Sequence, residues 1–192
     1  MQSQLHYNDS QNPVIQSAET ALAWYAVRVR SNFEQQVSSI FEYKGVEQFV
    51  PTYRSRRVWA DRVKTLDLPL FPGYVFCRIP LHKRNVVLTT EGVVSLVGFG
   101  RQPVAVSDTE IEAIRTVVQS DAQAKPWPYL RIGQTVRINR GSLTGLEGIL
   151  IKVKDTWNLV ISVSLLERSM VVEIDSAYVQ PIQSAHGNHE NA

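Results

Sequence analysis

The chain of 192 residues holds a single cysteine, Cys77, which rules out an internal disulfide and a thiolate zinc cluster. Set in an apolar stretch, that cysteine reads as a small buried hydrophobe. Histidine is nearly as scarce: His6, His82, His186 and His189 are scattered along the chain and gather into no metal-ligand group. No apolar run approaches the ~18–20 residues that cross a bilayer, and the N-terminus lacks a basic then apolar signal; a cytoplasmic protein without membrane contact is expected. Equally absent are a nucleophile elbow, a glycine-rich phosphate loop and a His-Glu-x-x-His pattern. The acidic residues Asp108, Glu110 and Glu112 are better explained as charges favoured at a helix N-terminus than as a catalytic set. These absences point to a binding protein rather than an enzyme, with no cofactor and no metal.

What is present is an ordinary globular composition, 44% hydrophobic and 20% charged, in a length that suits two small domains. The formal charge of +2 hides an asymmetry. Ala21 to Ser120 carries 13 basic against 9 acidic residues, a net of +4, whereas Tyr129 to Gln183 carries 6 against 5, a net of +1. Much of the excess lies in Arg54, Arg56, Arg57, Arg62 and Lys64, close to Tyr53 and Trp59, a mixture that suits a phosphate backbone or exposed bases. A net of +4 is modest, so such a contact would be auxiliary and salt-sensitive. The plain alternative is a solvated strand edge whose charges discourage aggregation.

Hydrophobic periodicity divides the chain into a tail (1–20), a first domain (21–120), a linker (121–129), a second domain (130–183) and a short tail (184–192). Both tails are polar and expected to be disordered. Ala23 to Val29 alternates as a strand; Ser31 or Asn32 can cap a helix with Phe33, Val37, Ile40 and Phe41 on one face, ending at Gly45. Gln48 to Tyr53 reads as a strand at an edge or bulge because of Pro51, followed by a charged hairpin turning near Ala60-Asp61 and a core strand from Tyr74 to Ile79. A short helix over His82 to Leu88 and a strand over Val93 to Phe99 follow. Ser107 and Glu110 have the spacing of a capping box before a helix striped by Ile111, Ile114, Val117 and Val118. This order fits helices on an antiparallel sheet, an α+β sandwich. Pro126 and Pro128 flank Trp127 in the linker and stop the helix. Five short strands then follow, at Thr135 to Ile138, Gly148 to Val153, Asn158 to Val163, Met170 to Ile174 and Val179 to Ile182, the pattern of a small SH3-like barrel.

Two segments carry the most specific signal. In Leu70-Phe71-Pro72-Gly73-Tyr74-Val75-Phe76 a Pro-Gly turn feeds an aromatic, β-branched strand; in Gly133 to Gly148, GQTVRINRGSLTGLEG, alternation runs into the turn Asn139-Arg140-Gly141 and on to Gly145 and Gly148. With Trp24-Tyr25 opening the first strand, these residues resemble the NusG family of transcription elongation factors over Ala23 to Ile182, nearly the whole chain. The resemblance implies a ferredoxin-like N-terminal module of the NGN type and a C-terminal barrel bearing a KOW motif. It implies that Trp24, Tyr25, Phe71, Pro72, Gly73 and Tyr74 line or support a depression that receives the β′ clamp helices of RNA polymerase. Phe71 and Tyr74 are expected to touch the partner and Trp24 to support from the core. The other reading is a turn whose aromatics all serve the core.

The resemblance further implies that upstream or non-template DNA passes near Arg54, Arg56, Arg57, Trp59 and Arg62. In the barrel it implies that the loop with Leu165, Leu166 and Arg168 recruits Rho or a small-subunit ribosomal protein. Leu166 stands where the general factor of the family has an aromatic, whereas Arg168 matches its basic residue. Arg57 to Arg62 and Gly92 to Gly100 look more like operon-specific antiterminators of the UpxY and RfaH kind, although Lys83-Arg84-Asn85 departs from the threonine-rich motif of the latter. The expected function is therefore a monomeric factor that suppresses pausing or termination on selected operons. A housekeeping role in the same family and a ribosome or RNA-binding KOW protein stand as alternatives.

Overall fold

The computed structural model describes residues 20–59, 62–100, 102–120, 122–128, 134–153 and 156–182. The expected tails, Thr20 apart, and the hairpin tip Ala60-Asp61 lie outside the described residues. In chain order the elements begin with β1 (Leu22–Val29), α1 (Glu34–Tyr43), β2 (Glu47–Phe49), β3 (Thr52–Trp59), β4 (Arg62–Pro69), β5 (Tyr74–Pro80), α2 (Arg84–Leu88) and β6 (Val93–Leu96). They continue with β7 (Gly98–Phe99), β8 (Gln102–Pro103), β9 (Ala105–Val106), α3 (Asp108–Gln119), β10 (Ala124–Pro128) and β11 (Gln134–Ile138). The last four strands are β12 (Glu147–Val153), β13 (Thr156–Val163), β14 (Arg168–Glu173) and β15 (Val179–Pro181). The described residues fall into two compact units. One runs to Val50 and resumes over Pro72–Val106; the other joins Pro51–Phe71 to the chain from Ser107 onward.

The first unit is built on an antiparallel sheet in the order β2-β5-β1-β6, with β9 also paired to β1. Alternation along β1 and β5 sends Tyr25, Val27, Val29, Val75, Cys77 and Ile79 to one face, where they pack with Val37 and Phe41 of α1 and Val87 of α2. Burying each of these large apolar side chains contributes about 1.5–3 kcal/mol. Burial pushes the Cys77 thiol up to about 12, so it stays protonated and serves the core as expected. On the opposite face Trp24, Ala26 and Phe76 are buried as well, and the ring of Phe49 lies 6.3 Å from that of Phe76. The helix α1 begins differently from the expectation. Phe33 occupies the N-cap without a side-chain cap, because Asn32 adopts φ 66° and is used to turn the chain.

In the second unit β3 and β4 pair in full register from Thr52↔Pro69 to Trp59↔Arg62, which is the expected hairpin, and the Leu70 amide donates to the Pro51 carbonyl at 2.8 Å to close its base. The single strand expected over Gln48 to Tyr53 is broken in two at Pro51, which has no amide to donate to a ladder. The helix α3 also belongs to this unit. Ser107 caps it, accepting the Thr109 amide at 3.2 Å, and Ile111, Ile114 and Val117 are buried. Glu110, expected to complete a capping box, accepts instead from the Ser164 amide at 3.0 Å, while α3 packs along β13.

The barrel sheet runs β10-β14-β13-β12-β11-β15 and is antiparallel throughout. The five expected strands are in place, and a sixth, β10, occupies what was expected to be the linker. It pairs with β14 from Ala124↔Val172 to Pro128↔Arg168. The fixed backbone angle of proline that forbids a helix here is compatible with an edge strand. In the KOW segment Gly141 and Gly145 take φ of 83° and 90°, and a Cβ on Gly148 would stand 2.5 Å from the Val160 carbonyl oxygen. Gly148→Ala is therefore expected to force β12 and β13 apart at a cost of about 1–3 kcal/mol. Thermal unfolding checks this; a wild-type melting curve would show that the crossing has room to spare.

Candidate functional site

The corner at Pro72-Gly73 is where the sheet of the first unit presents its end. Gly73 takes φ 84°, a conformation open to glycine, and both of its backbone groups are held: the Val29 amide donates to its carbonyl at 2.9 Å, and its own amide donates to Glu34 Oε1 at 2.7 Å. Tyr74 begins β5 directly afterwards. Register places three rows across the sheet on the face of Trp24: Trp24 with Arg78 and Val106, Ala26 with Phe76, and Arg28 with Tyr74 and Ser95. The first two rows are largely buried. In the third Arg28 is exposed while Tyr74 and Ser95 are half-buried.

The six aromatic-corner residues are therefore not alike. Trp24 is 2% exposed and Tyr25 5%, and the two point to opposite faces of the sheet. Burial raises the Tyr25 phenol above its usual range, with a smaller contribution from the neighbouring Cys77. Phe71, expected at the surface, is 1% exposed and belongs to the second unit. Three of the four aromatics Trp24, Tyr25, Phe71 and Tyr74 are therefore used in packing. Pro72 is exposed, and Tyr74 is the one aromatic of the set with accessible ring surface. Arg28 was not singled out from the sequence. Its signal was present in the alternation of β1, which puts it on the face of Trp24 and, once β5 is paired, directly opposite Tyr74.

On the hairpin, Arg54, Arg56 and Val58 are exposed, whereas Tyr53 and Ser55 at the intervening positions are half-buried. Strand register sets Arg54 opposite Asp67 and Arg56 opposite Thr65; Arg57 pairs with Lys64 and Trp59 with Arg62 along the backbone. Val58 is 82% exposed, an apolar residue on a basic strand.

In the barrel, Ser164–Leu166 forms a 3-10 turn that ends at Glu167 in the left-handed region, φ 49°, before Arg168 opens β14. Arg168 is exposed and Leu165 half-buried, but Leu166 is 7% exposed. Leu166 is thus a core residue rather than a contact, because the 3-10 turn rotates it inward. At the far end of β13 from this turn, Lys152 Nζ lies 5.6 Å from the centre of the Trp157 ring on the facing strand, and Arg137 donates to Glu147 across β11 and β12. Among the described residues no three His, Cys, Asp or Glu side chains stand together in a way that could hold a metal, and no helix is long and apolar enough to cross a membrane.

Comparisons with known proteins show similarity to one group of transcription factors. The family profile described as "NusG: Transcription termination factor nusG" matches residues 22–115, the stretch that contains the corner and the hairpin. The transcription termination/antitermination protein NusG of Neisseria meningitidis serogroup B is 29% identical over 174 residues, covering 83% of this chain and 97% of that protein. That of Buchnera aphidicola subsp. Baizongia pistaciae is 28% identical over 171 residues, covering 82% and 94%. A solved structure titled "Domain interaction in Thermotoga maritima NusG" superposes with a TM-score of 0.55 at 22% identity, covering 86% of this chain and 99% of that one, which supports the fold. With a sheet corner, a basic hairpin and a C-terminal β-barrel in one chain, the protein is similar to NusG transcription termination/antitermination proteins along most of their length, and its residues 22–115 match the NusG family profile.

Proposed function

We propose that the protein docks on RNA polymerase through the end of its first sheet, with Tyr74 and Arg28 meeting the β′ clamp helices, and that docking suppresses pausing or termination. The observation that carries this reading is the Arg28, Tyr74, Ser95 row, the exposed end of a sheet face otherwise buried. A half-buried tyrosine beside an exposed arginine is the composition of an interface hot spot, and a coiled coil offers apolar knobs with charged flanks to such a pair. Trp24 and Tyr25 act as the packed support within the same sheet, whereas Phe71 is buried and belongs to the second unit. The direct test is binding of the full-length chain to purified RNA polymerase, read by fluorescence anisotropy. Saturable binding supports the proposal; absence of binding together with tight binding to ribosomal RNA would replace it with the ribosomal alternative.

The hairpin contributes an auxiliary contact to upstream or non-template DNA through Arg54 and Arg56, with Arg57, Trp59 and Arg62 toward its tip. Removing two phosphate contacts lowers the slope of log affinity against log salt by roughly 1–2. The double variant Arg54→Ala, Arg56→Ala is therefore expected to bind a DNA-containing elongation complex about three- to tenfold more weakly at ~0.1 M salt, with the difference shrinking at higher salt. An unchanged salt slope would reduce the two arginines to solubilising charges. In the barrel, Leu165 and Arg168 form the contact offered to Rho or a small-subunit ribosomal protein. The segments Arg57 to Arg62 and Gly92 to Gly100 favour a specialised, operon-specific antiterminator over the general factor. Transcription profiling of a deletion strain separates the two: effects confined to a few operons support the specialised role, and a genome-wide shift supports the general one.

A further inference from the structure

Glu34 is an acidic side chain with an unusual position. It is 6% exposed, it makes no ion pair among the described residues, and its Oε1 accepts the Gly73 amide at 2.7 Å across 39 residues of sequence. It reaches that amide because Asn32 turns the chain at the end of β1, and it occupies the first turn of α1, where the helix dipole favours a carboxylate. The Val29 amide holds the other side of the same glycine. Every backbone polar group of Gly73 is thus fixed, one by the sheet and one by a side chain.

We infer that Glu34 is a positioning residue for polymerase docking: its carboxylate locks the Gly73 amide, and that lock sets the direction in which Tyr74 leaves the corner. The inference rests on the docking proposed above. A charge-assisted bond from a buried carboxylate is roughly twice as strong as a neutral one, and it is directional. Without it the Val29 amide alone holds the corner, and the Pro72–Gly73 peptide, with no side chain on glycine to restrict it, loses its fixed orientation on the approach to Tyr74. The interface then has to bear the ordering of the corner, which lowers affinity without removing any contact atom.

The test compares variants of the full-length chain. Glu34→Gln keeps an oxygen in place and is expected to bind polymerase within about twofold of wild type. Glu34→Leu removes the acceptor, and Glu34→Asp withdraws it by one methylene; both are expected to bind at least tenfold more weakly. Val37→Ala, which removes a buried methyl pair from the same helix and leaves the lock intact, controls for lost stability and is expected to bind within about twofold. If Glu34 acts through Tyr74, adding Glu34→Leu to Tyr74→Ala produces no further loss. The inference is overturned if Val37→Ala weakens binding as much as Glu34→Leu, if the losses of Glu34→Leu and Tyr74→Ala multiply, or if Glu34→Asp and Glu34→Leu bind like wild type. Hydrogen exchange at the Gly73 amide separates the lock from the docking: it should be fast in Glu34→Asp and slow in Glu34→Gln even if the wild-type chain does not bind polymerase. Slow exchange in both would sink the lock itself.

Discussion

Tyr74→Ala is expected to weaken binding to RNA polymerase by a factor of ten or more while shifting the melting temperature by only a few degrees. A tyrosine that anchors an interface contributes about 2 kcal/mol or more when truncated, which is roughly a thirtyfold change in affinity. In the free protein its ring is half-buried and faces the exposed Arg28, so its removal opens no closed cavity and costs the fold about 1 kcal/mol. The combination of large binding loss and small stability loss is the signature of a contact residue. Wild-type affinity in Tyr74→Ala would move the docking surface away from this corner.

Phe71→Ala should behave in the opposite way. Its ring is 1% exposed, and truncating a buried phenylalanine costs about 3–5 kcal/mol through lost transfer energy and the cavity left behind. For a chain of this size that is a fall of roughly 6–20 °C in melting temperature. Any loss of polymerase binding should then track the unfolded fraction and recover on cooling. Differential scanning calorimetry beside the binding assay decides the matter: a Phe71→Ala protein that melts like wild type yet fails to bind would return Phe71 to the interface.

The contrast between these two neighbours shows where the sequence could be read and where it could not. The period-two pattern of β1 and β5, the stripe of α3 and the five barrel strands are local signals, and each lies within a few residues of its expected place. Exposure is not local. Alternation assigns Trp24 and Phe76 to one face and Tyr25 and Cys77 to the other, but it does not say that both faces are covered, and Trp24 and Tyr25 are both buried. The same holds for Leu166, whose neighbours Leu165 and Arg168 differ from it only through the rotation of one 3-10 turn. Proline misled in two directions. At Pro51 it cut a strand in two, and at Pro126 and Pro128 it marked a strand where a linker was expected, because a residue that forbids helix is silent on whether the extended chain finds a partner. Glu34 carried no signal at all, since nothing in its spacing connects it to Gly73.

The strand β10 has a consequence for how the protein behaves in a crowded solution. It forms one border of the barrel sheet, and such borders invite extended segments of other molecules to continue the ladder. Pro126 and Pro128 stand two residues apart, so their nitrogens face the same side, and a strand accommodates proline where that side is the open one. An incoming strand meets carbonyls there and finds no amide hydrogens at two successive positions. The border is chemically half-closed, so β10 is a poor template for a further strand although only one of its sides is paired within the sheet.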